Sequence, residues 1–262
     1  MTDWLDVCRT CVADVRAVLV ELPTRAEREP VVGQGRGGDE TTAIDKAAED
    51  AIVARLRAVE EPLTIISEEA GRLGDGPTVV VVDPIDGSLN AKRGIPLFAL
   101  SIAVADGETM GDVHFGYVYD FGSGEEWIAR RGEGATLNGE RLNVQPKESI
   151  EILSFEATRT DLIARDISRV VDLAYRLRIM GSLAISLCHL AAGRLDAVCS
   201  LKGARSVDIA AAQLLVREQG LAIELFDDER RFEEAELDLQ GRSRVAAAGT
   251  AELCSTLAGA LR

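Results

Sequence analysis

Val79-Val80-Val81-Val82-Asp83-Pro84-Ile85-Asp86-Gly87-Ser88 is the stretch from which the fold of this chain can be read. A run of valines suits a strand covered on both faces, because β-branched side chains fill a pleated surface and an exposed face would have required polar alternation. Such a strand lies inside its sheet. Asp83 is its last residue, and Pro84 then withdraws a ladder donor and turns the chain, so Asp83 and Asp86 arrive together at the carboxyl end. That end is where open sheets bind ligands. Gly87 lets backbone approach a ligand closely, and Ser88 opens a short helix whose N–H groups face an anion. Carboxylates suit a hard cation and amides suit phosphate, so this stretch offers neighbouring seats to a divalent metal and a phosphoryl group.

Working outward, the 262 residues suffice for one large unit or two closely packed halves, and 47% hydrophobic content supports a sizeable core. No long apolar run and no basic leader is present, which predicts a cytoplasmic chain without signal peptide or membrane span. A net charge of -15 argues against nucleic acid as a partner. Lys46, Lys92, Lys147 and Lys202 are the only lysines. An acidic, lysine-poor surface fits a high-salt, halophilic-like cytoplasm or, alternatively, an arginine-favouring base composition. The five cysteines form an odd, scattered set that fits reduced thiols, and Cys8 with Cys11 reads as packing on a helix face.

Periodicity predicts a helix over 3–22, a polar loop over 23–40, a helix over 42–59 and a strand over 63–67 that delivers Glu68 and Glu69. The glycine run Gly33 to Gly38 follows no strand and lacks a P-loop lysine, so it reads as part of that loop. After the valine strand come a brief helix to 93, a strand over 97–105, a hairpin at Asp106-Gly107 into 111–119, and a strand over 125–130. Beyond Pro146 the elements alternate: helix 161–177, strand 178–180, helix 182–192, strand 196–199, helix 208–219, strands 221–225 and 244–248, and a last helix. This pattern divides the chain into an α+β half over 1–145, which would bind metal and phosphate, and an α/β half over 146–262, which would bind substrate, closely packed as one functional unit.

Asp83-Pro-Ile-Asp-Gly-Ser88, together with Ile65-Ile-Ser-Glu-Glu-Ala-Gly71 and Ser206-Val-Asp-Ile-Ala-Ala-Ala212, resembles the motif set of the magnesium-dependent, lithium-sensitive phosphatases. That superfamily includes inositol monophosphatases and fructose-1,6-bisphosphatases, and Asn90 to Gly94-Ile-Pro96 looks most like its archaeal dual-activity branch. The resemblance implies a layered α-β-α-β-α sandwich, two or three Mg²⁺ ions, a small phosphorylated metabolite as substrate, no membrane, and a homodimer. It places Glu68, Asp83 and the Ile85 carbonyl on one ion, and Asp83, Asp86 and Asp208 on a second. It pairs Asp45, from Gly38-Asp-Glu-Thr-Thr-Ala-Ile-Asp45, with the Ser88 hydroxyl to orient the attacking water, puts Asp39 near a third ion and Glu69 beside the first. The phosphate would meet Asp86 and the amides of Gly87 and Ser88, and the substrate's ring would meet Gly181 and Ser182 of Arg176-Leu-Arg-Ile-Met-Gly-Ser182. Val207 stands where the family usually carries an aromatic.

Each residue also has a plainer reading: Asp208 as a helix cap, Asp45 as a first-turn dipole partner, Glu68 and Glu69 as a solvated pair. It is their joint order along the chain that favours the phosphatase. Lys202 and Arg205 would meet a second phosphate, favouring fructose 1,6-bisphosphate over inositol 1-phosphate, or would be solvated loop cations; Arg93 is a further candidate. Within the superfamily the alternative is a 3′-phosphoadenosine 5′-phosphate nucleotidase, for which aromatics are few, and outside it a catalytically silent regulatory homologue. Cys188 to Arg194 matches C-x5-R, yet its surroundings read as helix, whose amides are already bonded and cannot cradle phosphate.

Overall fold

The computed structural model describes residues 2–36, 40–156, 159–228 and 230–262. The first half runs α1 (Trp4–Glu21), α2 (Arg25–Arg28), β1 (Val31–Gln34), β2 (Glu40–Thr42), α3 (Ala43–Arg57), β3 (Leu63–Ser67), β4 (Gly71–Leu73), β5 (Thr78–Asp86), α4 (Ser88–Arg93), β6 (Ala99–Ala105), β7 (Val113–Asp120), β8 (Glu126–Arg130), β9 (Gly134–Leu137) and β10 (Glu140–Arg141). The second runs β11 (Ile150–Glu156), α5 (Thr160–Asp166), β12 (Ala174–Arg178), α6 (Leu183–Ala191), β13 (Ala197–Ser200), α7 (Ser206–Glu218), β14 (Ala222–Leu225), β15 (Val245–Ala248) and α8 (Ala251–Leu261).

An eight-stranded sheet is ordered β10-β9-β8-β7-β6-β5-β3-β4, and a five-stranded sheet β12-β11-β13-β15-β14. The valine strand β5 lies inside the larger sheet, parallel to β3 and antiparallel to β6. Its valines divide between two cores. Val80 and Val82 pack with α1 and α3 through Cys8, Val15, Ile44 and Ile52. Val79 and Val81 face the other way, into a core built from α6 and α7. That middle core also takes Val198 and Ala247 from the smaller sheet, whose far face packs on α8 through Leu257 and Leu261. The layers are therefore α-β-α-β-α, and each fully buried valine contributes about 1.5 kcal/mol or more.

The structure departs from the sequence expectations at several elements. The 23–40 segment is not all loop: it holds the short helix α2, and β1 pairs antiparallel with β2. Strands β4, β9, β10 and β11 have no counterpart among the expected elements, and β5 continues through Pro84 to Asp86 instead of ending at Asp83. The helix expected to run to 177 ends at Asp166, because Asp166 is buried beneath Arg165 and Arg169 and a 3-10 turn over Ile167–Val170 follows. The chain then pairs as β12 with β11 over Ala174–Arg178, in place of a strand at 178–180.

All five cysteines are free and buried. Burial pushes Cys11 and Cys254 up to about 12 and raises Cys8, Cys188 and Cys199 as well. Thiol titration with a chromogenic disulfide is expected to be slow on the native protein and to report all five sulfurs on unfolding. Rapid reaction of the folded protein would contradict the packing.

Candidate active site

Side chains three apart on a regular strand point to opposite faces. Asp83 and Asp86 nevertheless share one. Asp83 pairs with Ser101 and Asp86 with Ala99, so three steps along β5 match two along β6, and the extra residue is a bulge at Pro84, which has no N–H to donate. Ile85 thereby turns into the α1/α3 core while both carboxylates face α6 and α7.

Glu68 follows the last residue of β3 and Asp208 lies in the first turn of α7. Oxygens of Glu68, Asp83 and Asp208 lie within 4.8 Å of one another. Asp83 Oδ1 accepts the Ile85 N–H at 3.0 Å. Asp86 Oδ2 accepts from the Ser182 hydroxyl and from the Ala184 N–H at 2.8 Å, so it sits at the amino end of α6. Asp208 Oδ2 accepts the Arg205 N–H at 2.7 Å, so this aspartate caps its helix as well as joining the cluster.

Burial pushes the Glu68 carboxyl up to about 8, Arg205 pulling it down while Asp208 and Glu69 repel it. Asp83 is raised well above the carboxylate range by burial and then by Glu68, Asp86 and Asp208. Burial takes Asp86 to about 7 against the stabilising bonds from Ser182 and Ala184. Several hard oxygens crowded at the cost of mutual repulsion are a donor set suited to a divalent cation, so the residues present fit one.

Asp86 and Asp208 open onto a cavity of about 300 Å³, also lined by Gly181, Lys202 and Arg205. Gly87, at φ +92°, caps α4, and a Cβ there would come within 2.9 Å of the Leu97 carbonyl. Gly181 is held at φ +76° with its α-carbon against the Asn90 amide, where a Cβ would stand 2.8 Å away.

Asp45 and Arg93 came out differently from expectation. Asp45 does not pair with Ser88: as the third residue of α3 it caps that helix through the Thr42 N–H and hydroxyl, while Ser88, one residue into α4, donates back to the Ile85 carbonyl at 3.0 Å. Asp45 Oδ1 is buried without a hydrogen-bond partner among the described residues. Arg93 is not in the cavity lining; it pairs with Glu29 at 2.7 Å. Glu69 accepts from the Thr41 hydroxyl, and its carbonyl takes the Arg36 N–H at 3.2 Å. Asp39 lies outside the described residues.

Leu89, whose amide the sequence reading set beside those of Gly87 and Ser88, also lines the cavity, as do Glu156, Asn90 and Arg242, to which that reading gave no role in the site. Glu156 is buried at the end of β11 and accepts from the Ser154 and Ser186 hydroxyls and from the Met180 and Gly181 amides at 2.6–3.1 Å. Asn90 takes the other side of that turn, donating to the Met180 and Leu97 carbonyls at 2.8 Å. Nothing local marks Glu156; an acid closing an apolar run was the available signal.

Residues 6–261 match a family model described as the inositol monophosphatase family. The chain belongs to that family. Inositol monophosphatase family members are generally Mg²⁺-dependent, in keeping with the acidic cluster. The chain is 34% identical over 252 residues to a fructose-1,6-bisphosphatase/inositol-1-monophosphatase of Archaeoglobus fulgidus, spanning 94% of this chain and 93% of the relative. It is 38% identical over 191 residues to the Nus factor SuhB of Pasteurella multocida, spanning 70% of each. A solved structure, described as the MJ0109 gene product inositol monophosphatase-fructose 1,6 bisphosphatase, superposes with a TM-score of 0.85 at 28% identity, covering 99% of this chain and all of that one.

Acids raised in the fold hold protons that the unfolded chain, titrating near about 4, has already released. Proton binding by the folded state therefore exceeds that of the unfolded state, and metal-free stability falls as pH climbs from about 5 through the Glu68 value of about 8. Melting temperature of metal-free protein is expected to decline over that range and to recover with Mg²⁺. A flat profile would mean that the acids ionise without mutual cost.

Proposed function

We propose that this chain is a Mg²⁺-dependent phosphomonoesterase acting on a small sugar or cyclitol phosphate, fructose 1,6-bisphosphate or inositol 1-phosphate, with water as nucleophile. The observation that carries this reading is the convergence of Glu68, Asp83 and Asp208 from three elements within 4.8 Å, beside a cavity holding Asp86, Lys202, Arg205 and Arg242. Glu68, Asp83 and the Ile85 carbonyl would hold one ion, and Asp83, Asp86 and Asp208 a second. Mg²⁺ held there supplies the charge that acidifies an attacking water and offsets the developing charge on phosphoryl oxygens.

The chain's own residues do the rest. Glu68 and Ser88 orient the water, and the amides of Gly87 and Ser88, at a helix start where N–H groups lack intrahelical partners, receive the phosphoryl oxygens. Gly181 forms part of the wall against which the ring is placed, whereas Ser182, expected beside it, is buried outside the cavity lining and acts by holding Asp86. A cavity of about 300 Å³ matches a hexose or cyclitol phosphate, and the cations Lys202, Arg205 and Arg242 favour a second phosphate. Among the described residues no aromatic lines it, which disfavours a nucleobase. Five buried free thiols support a reducing, cytoplasmic setting.

Phosphate release should require Mg²⁺, and Asp86→Asn should lower kcat by about 100-fold or more with the fold intact by circular dichroism. Assay of fructose 1,6-bisphosphate, inositol 1-phosphate and 3′-phosphoadenosine 5′-phosphate ranks the substrates; preference for the last would overturn the sugar-phosphate reading.

The reading includes a homodimer. Its support is the strand β12, which among the described residues pairs with β11 and no other strand, where Tyr175 is 76% exposed and Val171 and Ile179 flank it. Sedimentation should give a dimer that Tyr175→Lys weakens by tenfold or so in Kd, and a monomer of wild type would remove this part.

A further inference from the structure

Arg205 immediately precedes α7, and its side chain is only 9% exposed. Its guanidinium donates to Glu68 Oε1 and stands 3.9 Å from Asp208 Oδ2. It therefore engages two of the three acids whose oxygens converge in the cluster. A guanidinium keeps its charge at every accessible pH, and a divalent cation seeks the same lone pairs, so at contact distance the two positive charges exclude one another. The same side chain lines the cavity beside Lys202 and Arg242, within reach of a different anion.

We propose that Arg205 is a built-in rival of the metal: its guanidinium neutralises Glu68 and Asp208, yields their oxygens to a divalent cation, and then serves the second phosphate of a bisphosphate substrate. The substrate half of this inference rests on the phosphatase reading, whereas the rivalry does not. Metal loading and bisphosphate recognition are then one linked equilibrium, since each ligand favours the guanidinium position that the other requires. A monophosphate, with nothing to offer Arg205, does not share in that coupling.

Arg205→Gln tests both halves. By calorimetry in the absence of substrate, Mn²⁺ or Mg²⁺ should bind the variant about tenfold more tightly than wild type. Without divalent cation the variant should melt below wild type, and saturating Mg²⁺ should close that gap, because the lost ion pair no longer exists in either protein. An equal gap with and without Mg²⁺, together with equal affinities, would overturn the rivalry. For the substrate half, KM for fructose 1,6-bisphosphate should rise about tenfold and that for inositol 1-phosphate by less than about twofold; equal increases would overturn it. Should the variant not fold, wild-type crystals grown with Mn²⁺ decide the matter: a guanidinium still on Glu68 refutes the proposal, and one turned into the cavity supports it. Wild type that hydrolyses neither substrate while the calorimetry and melting behave as stated would refute the phosphatase reading and leave the rivalry standing.

Discussion

Like charges must be gathered where solvent cannot screen them, and the rest of the structure follows from that constraint. Asp83 is 3% exposed and Asp86 8%, and with Glu68 and Asp208 they meet where the larger sheet faces the middle helices. Each acid is held by a device that also tolerates its charge: an amide for Asp83, the start of α6 for Asp86, the start of α7 for Asp208 and the Arg205 ion pair for Glu68. Helix ends and amides are fixed by the backbone, so this tolerance requires no rearrangement when charge appears.

Positioning extends from the acids into the smaller sheet. Glu156 grips the Met180 and Gly181 amides while Asn90 grips the Met180 carbonyl, which fixes Ser182 and through it Asp86. A carboxylate on β5 is thus oriented by one on β11, and buried networks of this kind stay rigid only when every member is satisfied.

The sequence was most legible where chemistry is local. Four valines told of a strand covered on both faces, and β5 is such a strand, with Val80 and Val82 on one face and Val79 and Val81 on the other. The order of the acidic motifs foretold that distant segments would converge, and Glu68, Asp83 and Asp208 do. What stayed hidden depends on partners far along the chain. β1 carries the exposed Val31 and Val32 and shows no amphipathic period, so its pairing with β2 leaves no imprint on composition. Glu156 lines the cavity, and three of its four hydrogen-bond donors lie 24 to 30 positions away. The expected Asp45–Ser88 pair is not formed because Thr42 takes Asp45 Oδ2 as a helix cap and the Ser88 hydroxyl turns to the Ile85 carbonyl.

Helix α7 shows how tightly the parts are joined. Of its residues only Asp208, Arg217 and Glu218 escape burial, because it is sandwiched between both sheets and has no side left for water. The segment that supplies Asp208 is also the filling on which the larger sheet closes. A truncation anywhere before it would strip that sheet of its inner cover and remove a carboxylate in one stroke, so shape and chemistry in this molecule stand or fall together.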